Sequence, residues 1–201
     1  MKIYFDGDSY TYGSELKDRE NSRFSKLLCD RLDAEETNKA LHGSSNKAIL
    51  RRTLTETNIT DYDLVVINLT EPCRTEYYDI KVGWKRVRIG KLMGGYAKTE
   101  HEDWWRYYMK NIWTEEEGNL EEKIAYLSIK NLCKANNIPL IISTIRGREN
   151  WILSDVNDYS SLDFDLNLGD SKYPRAPDRH PNEKGHSMIA DDLVKIYENI
   201  F

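Results

Sequence analysis

Cysteines and long apolar runs are scarce in this sequence of 201 residues. The three cysteines, Cys29, Cys73 and Cys133, are odd in number and widely spaced, which favours reduced thiols over a disulfide framework or a zinc site. No apolar run approaches the roughly 18 residues of a membrane span, and no basic segment with an apolar core opens the chain as in a signal peptide. We therefore expect a cytoplasmic protein with no membrane partner.

An excess of positive charge is also missing. The chain has 29 lysines and arginines against 34 aspartates and glutamates, a net charge of −5. Because a protein that binds nucleic acid through its phosphates needs a clear basic excess, nucleic acid is not an expected partner. No glycine-rich phosphate loop and no Walker lysine follows any strand-like segment, which argues against flavin or nucleotide binding.

Strand-like and helix-like segments alternate along the chain. Continuous β-branched runs at 63–69 and 138–144 are typical of buried parallel strands, with further strands expected at 2–5 and, more weakly, at 37–41. Apolar spacing predicts helices at about 22–32, 46–57, 120–135 and 183–199. This alternation predicts one α/β domain over residues 1–201, a three-layer, flavodoxin-like parallel sheet with helices on both faces.

A serine stands where the first strand is expected to give way to a helix. In MKIYFDGDSYTYGS, Gly7 allows a sharp turn and Ser9 opens the helix, whose unpaired amides point at that spot. A nucleophilic serine needs a base to take its proton and donors to hold the oxyanion formed on attack. The alternative interpretation is that Ser9 only caps the helix of an ordinary βα loop.

An acid and a histidine lie close together near the other end of the chain, in the segment DRHPNEKGH that begins at Asp178. His180 would act as the base, and Asp178 would fix its tautomer, with Asp170 as a weaker candidate for the acid. His186 lies in the first turn of the closing helix and is expected to pack or cap there. His42 has no acid partner in the pattern and is expected to be non-catalytic.

The motifs GDSYTYG and D-x-H-P-N together resemble the SGNH (GDSL-type) hydrolase family, and the resemblance runs over the whole chain. It implies that Ser9 is the nucleophile of a triad with Asp178 and His180, and that the amides of Ser9 and Gly43 hold the oxyanion. The family's third oxyanion donor is an asparagine, and Thr70 stands at the matching position here. The spacing between the acid and the histidine is also one residue shorter than the family's.

Residues 80–118 fit no simple strand or helix, apart from a hairpin strand expected at 82–89, and form an aromatic-rich insertion. The insertion would fold over the Ser9 pocket, pack onto the body of the domain, or form a subunit interface. Aromatic faces offer stacking for sugar rings, and Arg74 would bind an anionic group at the pocket rim or form a surface salt bridge with Glu71 or Glu76. The candidate substrate-binding residues are Asn68, Arg74, Trp84, Trp104 and Trp105.

Together these features predict a serine esterase that hydrolyses an acyl ester, such as an acetyl group on a carbohydrate, through an acyl-enzyme. The expected partner is a small-molecule or glycan ester, and the reaction needs no metal and no organic cofactor. An acyltransferase would use the same residues. The changed third block and the short acid-histidine spacing leave a second class open, a catalytically degenerate module that binds glycans or assists assembly.

Overall fold

A parallel five-stranded sheet forms the centre of the molecule. The computed structural model describes residues 1–55, 58–81, 83–88, 102–145, 165–168 and 170–200. The strands are β1 (Lys2–Asp6), β2 (Glu35–Asn38), β3 (Leu64–Leu69), β4 (Arg74–Asp79), β5 (Gly83–Arg88), β6 (Leu140–Thr144) and β7 (Asp165–Asn167). In the sheet they lie in the order β2-β1-β3-β6-β7, and β4 and β5 form a separate antiparallel hairpin.

Helices cover both faces of the sheet because its central strands are apolar on both sides. Ile3 and Phe5 of β1 pack with the helices Phe24–Arg31 and Glu183–Ile200, whereas Tyr4 points to the opposite face and packs with the helices Asn46–Thr55 and Glu115–Ala135. In the described ranges, no helix is both long and apolar enough to cross a membrane. The helices are α1 (Ser9–Tyr12), α2 (Arg19–Ser22), α3 (Phe24–Arg31), α4 (Asn46–Thr55), α5 (Glu102–Asn111), α6 (Glu115–Ala135) and α7 (Glu183–Ile200).

The predicted fold class is confirmed. Without the hairpin, the strands follow the 2-1-3-4-5 order of flavodoxin-like sheets. The weak strand expected at 37–41 begins earlier, at Glu35, and the hairpin strand expected at 82–89 is β5. The prediction that 80–118 otherwise lacks regular structure is wrong, because α5 and the start of α6 lie there. The part of that insertion at 89–101 lies outside the described residues.

The parallel arrangement brings the carboxyl ends of all five strands to one edge of the sheet. Ser9 follows β1, Gly43 lies between β2 and α4, and Thr70 follows β3 directly. Asp178 and His180 lie in the segment between β7 and α7. Segments far apart in the sequence therefore meet at this edge, where open α/β sheets usually carry their sites.

Close packing at Gly185 holds the start of α7 against the segment that carries the acid and the histidine. A Cβ atom at this position would lie 2.3 Å from the carbonyl oxygen of Pro174 and 3.0 Å from Cβ of Pro181. We expect Gly185→Ala to lower the free energy of unfolding by about 1–3 kcal/mol, measured by urea denaturation. The control is Lys184→Ala at the exposed neighbouring position, with a change within about 0.5 kcal/mol. Equal stability of the two variants would contradict this packing.

Candidate active site

Ser9 is the first residue of α1, and its side chain is buried. Asp8 is the N-cap, because its Oδ1 accepts a hydrogen bond from the amide of Tyr10 at 3.0 Å. The interpretation of Ser9 as the capping serine is therefore wrong. Since α1 is only four residues long, it contributes unpaired amides at this end but little macrodipole.

Gly7 is needed for the close approach of this turn to its neighbours. A Cβ atom there would lie 2.4 Å from Oγ1 of Thr11 and 2.9 Å from Cβ of Asn68. Its φ is not among the positive values of the chain, so the prediction that it serves the sharpness of the turn is replaced by a packing reason. The turn that carries Ser9 lies directly against β3 as a result.

Asp178 and His180 form a pair across one tight turn. Oδ2 of Asp178 contacts Nδ1 of the imidazole, and Oδ1 accepts the backbone amide of His180 at 3.1 Å. Partial burial alone would raise the pKa of Asp178, but these hydrogen bonds outweigh it and hold the pKa below its ordinary value. Asp170 instead accepts the amide of Lys172 at 2.9 Å, so Asp178 is the acid beside the histidine.

Arg175 and Tyr10 join the segment of His180 to the helix of Ser9. Nη1 of Arg175 donates to the Tyr10 hydroxyl at 2.7 Å and to the carbonyl oxygen of Arg179 at 2.6 Å. The Tyr10 ring lies against the imidazole of His180, with ring centroids 5.4 Å apart. No hydrogen bond in the described part of the chain joins Ser9 to His180. Such bonds often form only once a substrate is bound.

Two backbone amides at this edge are open donors. Among the described residues, the amides of Ser9 and Gly43 donate no hydrogen bond. The loop of Gly43 is held to the Ser9 turn by a bond of 3.3 Å from the amide of Leu41 to the carbonyl oxygen of Gly7. Open amides of this kind suit a developing oxyanion.

The hydroxyl of Thr70 is committed to another partner. It donates to Oδ2 of Asp8 at 2.8 Å, and a hydroxyl has only one proton to give. Asn46 fixes the Thr70 peptide on both sides, donating to its carbonyl oxygen at 3.0 Å and accepting its amide at 2.8 Å. The prediction that Thr70 is the third oxyanion donor is therefore corrected, since its hydroxyl supports Asp8.

Asp8, in the turn between β1 and α1, is a buried acceptor for side chains from β3, from the residue after it and from β4. Besides Thr70, it accepts hydrogen bonds from Nδ2 of Asn68 at 3.1 Å and from Nη1 of Arg74 at 2.8 Å. Arg74 is only 8% exposed, so its predicted place at the pocket rim is wrong. The alternative, a surface salt bridge with Glu71 or Glu76, is met only in part. Nη2 of Arg74 lies 3.6 Å from Oε2 of Glu71, but Arg74 is buried, and Glu76 pairs with Arg51 at 2.7 Å instead. The guanidinium of Arg74 therefore pairs with the buried carboxylate of Asp8 inside the fold.

The tryptophans of the insertion make contacts that attach it to the domain. The guanidinium of Arg51 lies 4.3 Å from the ring centroid of Trp84, and Trp105 stacks on Tyr77 at 4.8 Å. These contacts agree with the alternative in which the aromatics pack onto the body. Trp104 is 54% exposed. Substrate binding by Trp84, Trp104 and Trp105 stays a prediction.

His42 lies closer to the site than its sequence pattern indicates. Its Nδ1 shares a hydrogen bond of 2.9 Å with the Ser14 hydroxyl, and its ring centroid is 6.2 Å from that of His180. Burial lowers the pKa of His42, and the neighbouring His180 and Arg86 lower it further. The lowered pKa favours the neutral imidazole of His42, which lies beside the Asp178–His180 pair.

His186 packs in the core, as expected. Its Nδ1 accepts the amide of Phe24 at 3.0 Å, and its ring stacks on the Phe24 ring at 5.7 Å. Burial lowers the pKa of His186 from 6.5 to about 4. This imidazole holds α7 to α3 and lies outside the candidate site.

The low pKa of His186 predicts acid sensitivity. Between pH 6.5 and about 4 the unfolded chain takes up a proton that the folded chain refuses, so the free energy of unfolding falls as pH falls. The loss should reach at most about 3 kcal/mol. His186→Asn keeps an acceptor for Phe24 and should remove this part of the pH dependence in urea denaturation, since the other titrating groups act in both proteins. Identical pH profiles would contradict the assignment.

Two arginines at the site were missed from the sequence, Arg175 and Arg52. Arg52 is buried and pairs with Asp6. Arg52 follows Ile49 by about one helical turn on the buried face of α4. A cation among the core-facing positions of a helix indicates a buried ion pair, and this was the signal available in the sequence. For Arg175, which binds backbone carbonyls and a hydroxyl, the sequence offers no comparable pattern.

The arrangement of the sheet and its helices is similar to that of solved SGNH-type hydrolases, so the fold is SGNH hydrolase-like. The solved structures that share it include TesA (TM-score 0.61, 12% identity, all of both chains covered) and esterase EstA from Pseudoalteromonas sp. (TM-score 0.59, 15% identity, 98% of this chain and 96% of that chain). A family two carbohydrate esterase from Clostridium thermocellum, solved with cellohexaose, also shares it (TM-score 0.59, 16% identity, 98% of this chain but 63% of that chain). No family model and no curated protein matches the sequence.

Proposed function

We propose that the protein is a serine esterase in which Ser9 attacks the acyl carbon and His180 takes the hydroxyl proton. His180 then returns the proton to the leaving alcohol, and water resolves the acyl-enzyme by the same route. Asp178 holds the imidazole in the tautomer whose Nε2 accepts a proton. The observation that carries the proposal is the Asp178–His180 pair, held beside the helix that begins at Ser9.

The oxyanion would be held by two backbone amides, those of Ser9 and Gly43. Neither amide has another partner among the described residues, and both lie at the edge of the sheet where Ser9 emerges. Losing one of three donors typically lowers the rate by about two to three orders of magnitude. With Thr70 bound to Asp8, we expect a slower enzyme than one with a third donor.

The substrate is proposed to be an acyl ester, such as an acetyl group, carried by a carbohydrate. Carbohydrate esterases, including an acetyl xylan esterase from Butyrivibrio proteoclasticus, are among the proteins that share the fold. The half-exposed ring of Trp104 offers a face for a sugar. An acyltransferase would use the same Ser9, His180 and Asp178 and would differ only in the acceptor that resolves the acyl-enzyme.

Two substrates test the proposal. p-Nitrophenyl acetate tests acyl transfer to Ser9 alone, because its leaving group departs readily without help from the enzyme. Acetylated xylo-oligosaccharide tests whether the enzyme accepts an acetyl group carried by a carbohydrate. We expect saturable hydrolysis of the first and acetate release from the second, with a higher kcat/KM for the oligosaccharide. Hydrolysis of the first alone would reject the carbohydrate but keep the esterase. Hydrolysis of neither by the folded protein would favour the binding module.

A further inference from the structure

A buried ion pair lies directly behind the turn of Ser9. Asp6 is completely buried and Arg52 is 3% exposed. Nε of Arg52 lies 3.0 Å from Oδ2 of Asp6, and Nη2 lies 2.5 Å from Oδ1, so the contact is bidentate. Because the cost of removing two charges from water offsets much of their attraction, stability alone is a weak reason for such a pair.

Each member of the pair also contacts one of the two segments that carry the open amides. Oδ1 of Asp6 accepts the amide of Gly7 at 2.6 Å, in the turn that precedes Ser9. Nη2 of Arg52 donates to the hydroxyl of Ser44 at 3.0 Å, next to Gly43. The same Oδ1 and the same Nη2 make both sets of contacts, so one continuous chain of hydrogen bonds joins the two segments.

We propose that Asp6 and Arg52 are positioning residues that set the relative placement of the Ser9 and Gly43 amides. The inference rests on the proposed function, since it assigns a purpose to those amides. Oxyanion donors act through preorganisation, and a displacement of about 1 Å can cost up to about a hundredfold in rate. Asp6 and Arg52 reach the two amide-bearing segments through Gly7 and Ser44.

A second hydrogen bond joins the two segments, so the Ser44 contact can be removed while the segments stay attached to each other. The bond from the amide of Leu41 to the carbonyl oxygen of Gly7, 3.3 Å long, does not involve the ion pair. Breaking the Ser44 contact should therefore leave the loop attached but less well oriented. Ground-state binding should change little, while stabilisation of the transition state should fall.

Ser44→Ala removes the hydrogen bond between Arg52 and Ser44 and leaves the Asp6–Arg52 ion pair intact. We expect kcat for p-nitrophenyl acetate to fall about tenfold with KM unchanged. The matched control is Ser45→Ala, which removes a hydroxyl from the adjacent buried serine, the one that accepts the amide of Ala48 at 3.1 Å at the start of α4. Ser45→Ala should lower the melting temperature and leave kcat within about twofold.

Arg52→Lys provides a second variant if Ser44→Ala fails to fold. Lysine keeps the charge, but its single nitrogen cannot reproduce the bidentate contact with Asp6 together with the bond to Ser44, so kcat should fall at least as far as in Ser44→Ala. Assays at about pH 8 keep Asp6 ionised, since burial raises its pKa to about 6.

The outcomes separate this inference from the function on which it rests. Wild-type protein without hydrolysis would reject the proposed function itself. Active wild type with unchanged kcat in folded Ser44→Ala and Arg52→Lys would overturn the positioning role alone. An equal loss of kcat in Ser45→Ala would also overturn it, because the effect would then belong to the loop in general.

Discussion

Ser9→Ala is expected to lower kcat for p-nitrophenyl acetate by at least about four orders of magnitude. The Ser9 hydroxyl is the proposed nucleophile, and the remaining donors and His180 can then assist only the slow attack of water. The fold should not change, because the N-cap bond of α1 comes from Asp8 and Ser9 contributes its backbone carbonyl to the turn at Gly13.

The control for Ser9→Ala is Ser22→Ala, the same substitution at a serine of the short helix α2. Its kcat should stay within about twofold of wild type. Circular dichroism and melting temperature establish that both variants are folded. A folded Ser9→Ala that keeps more than about a hundredth of the wild-type kcat would contradict Ser9 as the nucleophile.

Arg74→Ala is expected to lower the free energy of unfolding by about 3–5 kcal/mol. The substitution leaves the carboxylate of Asp8 buried without its cation, and Asp8 is completely buried. Neutral donors from Tyr10, Asn68 and Thr70 remain, which places the expected loss near the lower end of this range. Urea denaturation at neutral pH measures the loss directly.

A second substitution distinguishes charge from packing in the Arg74 variant. Asp8→Asn in the Arg74→Ala background removes the unpaired charge while keeping an oxygen for the Tyr10 amide, so it should recover part of the lost stability. Lys195→Ala, which breaks the exposed pair with Asp192, should change stability by less than about 1 kcal/mol. An Arg74→Ala loss no greater than that of Lys195→Ala would contradict the buried pair.

The sheet could be predicted from the sequence because its strands are continuous apolar runs, and burial on both faces requires that composition. The β4–β5 hairpin was harder to predict from the sequence. β4 reads RTEYYD, and it buries Arg74 and Glu76 through ion pairs, whereas sequence patterns equate burial with apolar side chains. α5 reads EDWWRYYMKN, whose aromatic residues have only middling helix propensity.

The candidate site was predictable where its residues lie close together in the chain. Asp178 and His180 share one turn, and Ser9 stands in a short motif. The error at Thr70 came from a contact between residues 62 positions apart, which no local pattern reveals. The Asp6–Arg52 pair spans 46 positions and could be found only from the folded chain. Polar side-chain contacts between segments far apart in the chain are therefore the part that the sequence leaves undetermined.

Labelling with a fluorophosphonate probe, read by intact mass, tests the central claim most directly. The probe reports an activated serine without requiring the natural substrate. The predicted result is rapid addition of one probe molecule to the wild-type protein, with the adduct on Ser9 and no labelling of Ser9→Ala or His180→Ala. Folded wild-type protein that stays unlabelled, or that is labelled equally in both variants, would contradict the pairing of Ser9 with His180.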